Sequence, residues 1–270
     1  MTFVPAHAGN FKSTILDNVR LSTRYFLLRI ARPDGMPEPS AGQFVHVGVP
    51  GGGRFFLRRP FSVFDCDDRY LDLLIVEIGE GTRVIRQMKI GDEVEFYGPL
   101  GNSFPDKPGR QVMAIGGGVG LAPLYFYLFR KLGGYDPSFR LVYGGRTKDD
   151  LFLDHIPVEA GGVLLATQDG SHGHRGNAVE LAAESMSHQQ ADVIFSCGPT
   201  PMLRAAQKLA EDAGVPHFVS LENRMGCGMG ACRACVVPTR FDGDSPYRTV
   251  CHDGPVFDGA DLLWEQLPTP

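Results

Sequence analysis

Four cysteines toward the C-terminal end constrain this chain more than any other feature. Cys227, Cys232 and Cys235 lie in the run MGCGMGACRACVV, and Cys251 follows in RTVCHDGPVF. Three thiols in one loop at C-x4-C-x2-C spacing, with a fourth standing apart, match plant-type [2Fe–2S] ligation. Thiolates suit that task because each iron takes two sulfur ligands from the protein. Gly226, Gly228, Gly230 and Ala231 let the loop wrap closely and aim N–H groups at sulfur. The competing reading is structural zinc, but zinc ribbons use two short C-x2–4-C knuckles, not one crowded loop and a lone cysteine. A disulfide framework is disfavoured because nothing else in the chain suggests secretion. The expectation is a protein that moves single electrons.

A chain of 270 residues is long enough for two ordinary domains and a small appendage. Its 43% hydrophobic and 21% charged content is that of a soluble globular protein. A net charge of −5 argues against a dedicated nucleic-acid surface. The opening MTFVPAHAGNFKST has no apolar run of signal-peptide length. No window reaches the roughly eighteen apolar residues of a membrane helix, since the longest stretch, Leu121 to Leu132, is broken by Pro123 and Arg130. The expected setting is the cytoplasm, where thiols stay reduced and available for iron.

Up to about Gly101, short apolar runs alternate with turn signals. The expected strands are Ser13 to Val19, Tyr25 to Ala31, Gln43 to Val49, Tyr70 to Ile78 and Glu93 to Tyr97, in an antiparallel barrel or sandwich. One helix is expected from Thr82 to Met88, and GNSFPDKPGR reads as a linker. From Gln111 the rhythm changes. The strand VMAIG leads into glycines and a helical stretch through Leu132. FRLVYGG, GVLLATQ, ADVIFSCG and HFVSLE follow, with helical patterns such as PMLRAAQKLAEDAG between some of them. Alternation of this kind predicts a doubly wound parallel α/β sheet. After Glu222 the pattern dissolves into the cysteine-rich tail.

Three motifs suggest nucleotide binding. Arg58-Arg59-Pro60-Phe61-Ser62 opens a strand, where an arginine before a hydroxyl can hold a pyrophosphate; alone, it reads more readily as a surface charge. Gly79-Glu80-Gly81-Thr82 enters a helix and leaves backbone N–H groups free for an anion. Together they point to a flavin nucleotide. Gly116-Gly117-Gly118-Val119-Gly120-Leu121-Ala122-Pro123 follows a strand and opens a helix, letting a pyrophosphate approach the backbone. Leu121 stands where the Rossmann fingerprint has Gly or Ala, and no acidic residue follows Tyr143-Gly144-Gly145-Arg146 directly to grip a ribose. Ser196-Cys197-Gly198-Pro199-Thr200-Pro201-Met202 closes a later strand at the ligand edge of the sheet, although Cys197 alone reads as a small buried hydrophobe. Cys66 has no surrounding motif, and His172 and His174 read as a solvated turn.

RPFS, GEGT, GGGVGLAP and CGPTPM occur in the order seen in the ferredoxin–NADP reductase superfamily, a resemblance covering nearly the whole chain. The tail, SLENRMGCGMGACRACVV and VCHDGPVF, resembles the electron-transfer subunits of NAD-dependent, two-protein dihydroorotate dehydrogenases. The resemblance implies an FAD-binding β-barrel over residues 1–102, an NAD-binding α/β domain over 103–222 and a small [2Fe–2S] loop domain over 223–270. Arg59, Pro60, Phe61 and Ser62 match its first FAD motif; Leu74, Ile75 and Val76 match a second contact segment; Gly81 and Thr82 match the pyrophosphate turn. Gly116, Gly117, Gly118 and Gly120, with Cys197 and Gly198, would line the nicotinamide pocket, and Cys227, Cys232, Cys235 and Cys251 would ligate the cluster. The implied partner is an FMN-containing catalytic subunit, two of each chain forming a heterotetramer, with neither nucleic acid nor membrane involved.

On this reading the partner oxidises dihydroorotate, and its electrons pass one at a time through the cluster to FAD and leave in pairs to NAD+, in pyrimidine biosynthesis. No catalytic acid or base is assigned, and no triad or carboxylate pair is found. Arg146 keeps NADP open as the nucleotide. Reductase subunits of hydrogenases or of ferredoxin-linked NAD(P) oxidoreductases share the layout, and a non-catalytic zinc protein is the alternative from another class.

Overall fold

The computed structural model describes residues 8–51, 53–106, 110–134, 136–153, 162–240 and 245–267. Six strands form a closed antiparallel barrel: β1 (Gly9–Arg20), β2 (Tyr25–Ala31), β3 (Phe44–Val47), β4 (Arg59–Cys66), β5 (Tyr70–Val76) and β6 (Glu93–Leu100). Their spatial order is β1-β2-β5-β4-β3-β6, with β1 pairing β6 to close it, so the barrel reading holds over the sandwich. β2 and β5 pair from Tyr25↔Val76 to Ala31↔Tyr70, and their apolar residues fill the interior. Side chains such as Phe26, Leu28 and Leu73 are fully buried, each contributing about 1.5–3 kcal/mol by leaving water. Ring closure also removes the unpaired edges that an open sheet would expose.

Helix α1 (Glu80–Gln87) starts two residues earlier than the sequence predicts. Thr82 explains the shift: its Oγ1 accepts from the amides of Ile78 at 3.0 Å and Gly79 at 3.2 Å, so it caps from inside the first turn.

The second unit is a seven-stranded sheet built on β7 (Val112–Gly117), β8 (Phe139–Gly145), β9 (Val163–Thr167), β10 (His174–Arg175), β11 (Val193–Cys197) and β12 (His217–Ser220). With β15 (Val256–Asp258) from the tail as the seventh strand, its order is β10-β9-β8-β7-β11-β12-β15. Helix α2 (Leu121–Phe126) packs toward the barrel, while α3 (Ala178–His188) and α4 (Thr200–Ala213) cover the other face. The expected single helix through Leu132 changes winding at Tyr127, with a π-helical turn over Tyr127–Lys131. That turn accompanies an aromatic stack in which Tyr125 lies between Phe64 (4.2 Å) and Phe129 (4.3 Å).

The tail is more ordered than its sequence suggests. β13 (Val236–Pro238) and β14 (Tyr247–Thr249) form a hairpin, and β15 (Val256–Asp258) pairs antiparallel with β12, joining the sheet edge. Each spans only three residues, too few for alternation to register. The start of the expected linker is likewise packed. Asn102 donates to the carbonyls of Asp253 (3.1 Å) and Val256 (2.8 Å) and accepts from the amide of Val256 (2.8 Å), while Phe104 stacks on Phe195. Residues 107–109 of that segment lie outside the described residues.

Candidate functional site: two cavities and a cysteine loop

A cavity of about 390 Å³ opens where barrel, sheet and tail meet. From the barrel it takes Arg59, Pro60, Phe61 and Ser62 on β4, Leu74 and Val76 on β5, and Gly81 and Thr82 on α1. Its volume falls within the range of small-molecule sites. Ile75 is 1% exposed and points into the barrel core, because alternation along β5 turns it away from its neighbours; its side chain is not on this wall. The Arg59 guanidinium lies against the helix start, where a Cβ on Gly81 would come within 3.1 Å of it. Anion-friendly backbone and a cation thus share one corner.

The opposite wall was not foreseen as part of the site. It comes from Ser220, Glu222 and Met225, on the lead-in to the cysteine loop, and from Val119 of the glycine loop. Glu222 is exposed on this wall, and partial desolvation by the protein near it raises its carboxyl pKa.

A second cavity of about 440 Å³ lies at the C-terminal ends of β7 and β8. Gly117 and Gly118 line it. Gly116, Gly120, Cys197 and Gly198 stand behind that surface, where they serve the approach of chain to chain. A Cβ on Gly120 would lie 2.3 Å from the Cys197 carbonyl oxygen, and one on Gly198 would meet Met202 and the Gly117 amide. Cys197 is 1% exposed, and burial pushes its thiol pKa up. Residues the motifs did not indicate complete the walls: Tyr25 from the barrel, with Arg146, Asp150, Gln168, Asn177 and Met202. An acidic group does reach the tip of β8 after all. Asp150 folds back so that Oδ2 accepts from the Arg146 amide (3.0 Å) and Nε (3.2 Å). It stands five residues beyond the end of the strand, out of the local pattern of the strand tip.

The four cysteine sulfurs fall into two pairs. The Cys227 amide donates to Cys232 Sγ at 3.4 Å and the Cys232 amide to Cys227 Sγ at 3.3 Å. The Cys251 amide donates to Cys235 Sγ at 3.4 Å, and the Gly230 amide to Cys251 Sγ at 3.1 Å, tying one pair to the other. Although partial burial acts upward, the N–H groups of Cys232 and Met229 hold the Cys227 thiol below its usual pKa. A hydrogen bond from the Cys251 thiol lowers the pKa of Cys235 and raises that of Cys251 in turn. Among the described residues no three His, Cys, Asp or Glu converge as ligands of a single ion. Two thiol pairs fit a two-iron cluster, where each iron takes two sulfurs, better than one tetrahedral zinc. Cys232 is exposed, whereas Cys235 and Cys251 are buried.

Elsewhere, Ser196, His217 and Gln207 form a hydrogen-bonded chain resembling a nucleophile–base pair, but they are 0%, 2% and 7% exposed and line neither of these cavities. His174 pairs with Glu184, and the His172 amide is bonded to Thr167, in keeping with a turn. Cys66 is buried in the barrel.

Comparison with known proteins agrees with this arrangement. The family model for the iron–sulfur cluster binding domain of dihydroorotate dehydrogenase B matches residues 222–263. A dihydroorotate dehydrogenase B (NAD+) electron transfer subunit from Caldanaerobacter subterraneus subsp. tengcongensis is 36% identical over 253 residues, covering 94% of this chain and 98% of that one. A subunit of the same name from Bacillus caldolyticus is 39% identical over 263 residues, covering 94% and 99%. Among solved structures, an NADH-dependent reduced ferredoxin–NADP oxidoreductase superposes with a TM-score of 0.81 at 29% identity, over 94% of this chain and 91% of that one. A ferredoxin NADP+ reductase from Neisseria gonorrhoeae, with a TM-score of 0.62 at 20% identity over 80% and 94%, shares the fold. The chain belongs to the family of dihydroorotate dehydrogenase B electron transfer subunits.

Proposed function

We propose that this chain carries electrons from the FMN of a dihydroorotate-oxidising catalytic subunit to NAD+, using a [2Fe–2S] cluster and FAD, in pyrimidine biosynthesis. The carrying observation is the convergence on one cavity of the flavin-motif strand (Arg59 to Ser62), the glycine loop (Val119) and the lead-in to the cluster loop (Met225). Three redox sites can therefore sit side by side. When bound, the cluster supplies one-electron transfer, while FAD exchanges single electrons on one side for a hydride on the other.

The residues of this chain bind and orient. Arg59 and the amides at Gly81 and Thr82 would hold the FAD pyrophosphate, and Pro60 to Ser62, with Leu74 and Val76, would wall the flavin. Gly117 and Gly118 would admit NAD to the second cavity, with Gly116, Gly120, Cys197 and Gly198 setting its shape from behind. Cys227 with Cys232, and Cys235 with Cys251, would each ligate one iron. None of these residues needs to give or take a substrate proton. The division proposed is residues 1–102 for FAD, 103–222 for NAD and 223–270 for the cluster. Two copies of each subunit form the assembly, and it works in the cytoplasm. Among the described residues no helix is long and apolar enough to cross a membrane.

The test is to purify the chain anaerobically and mix it with a dihydroorotate-oxidising flavoprotein. About two irons and two sulfides per chain, one FAD, and dihydroorotate-dependent reduction of NAD+ only in the mixture are expected. One zinc and no flavin would contradict the proposal. Activity with hydrogen or ferredoxin, and none with dihydroorotate, would move the chain to a sibling branch. Running the same assay with NADP+ tests whether Arg146, freed from Asp150, accepts a 2′-phosphate.

A further inference from the structure

β3 has two faces with different work. Val45 and Val47 point into the barrel, both at 0% exposure, while Phe44 and His46 point outward toward the tail. Phe44 packs in the same apolar cluster as Cys235, Val250 and Cys251 and also lines the first cavity. His46 lies under the cysteine loop: a Cβ on Gly228 would come within 2.6 Å of its Nδ1. Gly228 adopts φ 73°, so the loop turns sharply where it meets the ring.

The other side of His46 faces the flavin motif. It stands opposite Pro60 in the β3–β4 register, and the backbones of Arg58 and Cys227 both approach the ring. The ring is 1% exposed; Nε2 makes no well-formed hydrogen bond among the described residues, but the carbonyls of Arg58 and Cys227 lie close enough for the ring nitrogens to be drawn to both segments. A buried polar ring is costly at a position where an aliphatic side chain would satisfy packing alone. It lies between the strand of Arg59 and the loop of Cys227.

We propose that His46 is a positioning residue that seats the cluster loop on the flavin strand and so fixes the gap between cluster and flavin. This rests on the cluster reading above. Outer groups that orient ligands commonly matter almost as much as the ligands themselves.

The complete chain, its cluster and FAD in place, is compared with its His46→Leu and His46→Gln variants under anaerobic conditions. Three readouts are taken: iron loss to bipyridyl, the EPR line shape of the reduced cluster, and the ratio of cluster-reduction to flavin-reduction rates after mixing with NADH. For His46→Leu, iron loss about 10–100-fold faster, an altered line shape and a lowered ratio are expected. His46→Gln, with an amide of similar reach, should stay near the parent. Parent-like behaviour of His46→Leu in all three overturns the proposal. If His46→Leu does not fold, His46→Asn decides: its short amide cannot span both segments, so it must show the losses, and parent-like behaviour overturns the idea. A parent chain that binds no iron overturns the cluster reading, and this proposal with it.

Discussion

Cys227 and Cys232 hold one another reciprocally, each amide donating to the other's sulfur. Two thiols are thereby fixed side by side by the backbone, and Gly230 ties this pair to Cys251. The cradle is built largely from main-chain geometry, which is why Gly228 and Gly230, both at positive φ, stand between the first two cysteines.

Arg59 should govern flavin retention. Its guanidinium sits against Gly81 at the helix start, where a pyrophosphate would bridge both. Losing a charge-assisted hydrogen bond costs about 1.5–3 kcal/mol, so Arg59→Ala should weaken FAD binding about 10–100-fold. Arg59→Lys keeps the charge without the fork and should fall between. Titration of the FAD-free chain with FAD, followed by flavin fluorescence, measures it; unchanged affinity in Arg59→Ala would show that the anion binds elsewhere.

Gly120→Ala should destabilise the α/β unit through space alone. Gly120 has ordinary helical backbone angles (φ −62°), but its Cβ would lie 2.3 Å from the rigid Cys197 carbonyl. Overpacking of this kind costs about 1–3 kcal/mol, visible as a lower melting temperature together with weaker NADH binding. Gly116→Ala meets the movable Leu124 side chain at 3.3 Å and should be milder.

His217 should make stability fall in mild acid. Gln207 Nε2 donates to Glu211, which leaves Oε1 to accept from His217 Nδ1; Nε2 then accepts from the Ser196 hydroxyl. Burial lowers the pKa of this neutral ring from 6.5 to about 4. Because the folded pKa lies below the unfolded one, the contribution is full above about pH 6.5 and is lost as pH falls toward about 4. Trp264, the only tryptophan, stacks on His217 with ring centres 6.1 Å apart. Urea unfolding followed by its fluorescence should show a steeper acid slope for the parent than for His217→Gln.

The barrel strands and the cysteine pattern were legible in the sequence because each is a local signal. Tyr25–Ala31 is a short apolar run that forms a strand over the expected bounds, and C-x4-C-x2-C is a spacing. What escaped depends on chain returning from a distance. Asp150 reaches the second cavity by folding back on Arg146, and Tyr25 enters it from the other unit. β15 is a three-residue strand that gains meaning only beside β12. Ile75 shows the converse limit, since a motif names consecutive residues while a strand sends alternate ones to opposite faces.

The most direct test of the central claim is low-temperature EPR of the complete two-subunit enzyme reduced anaerobically by dihydroorotate, for the parent and for Cys232→Ser. The account predicts a reduced two-iron signal in the parent. In Cys232→Ser that signal should be lost or strongly altered, and dihydroorotate-dependent NAD+ reduction should collapse while NADH-to-dye reduction persists. A parent without a paramagnetic iron signal, or a Cys232→Ser enzyme that still passes dihydroorotate electrons to NAD+ at the parental rate, would contradict it.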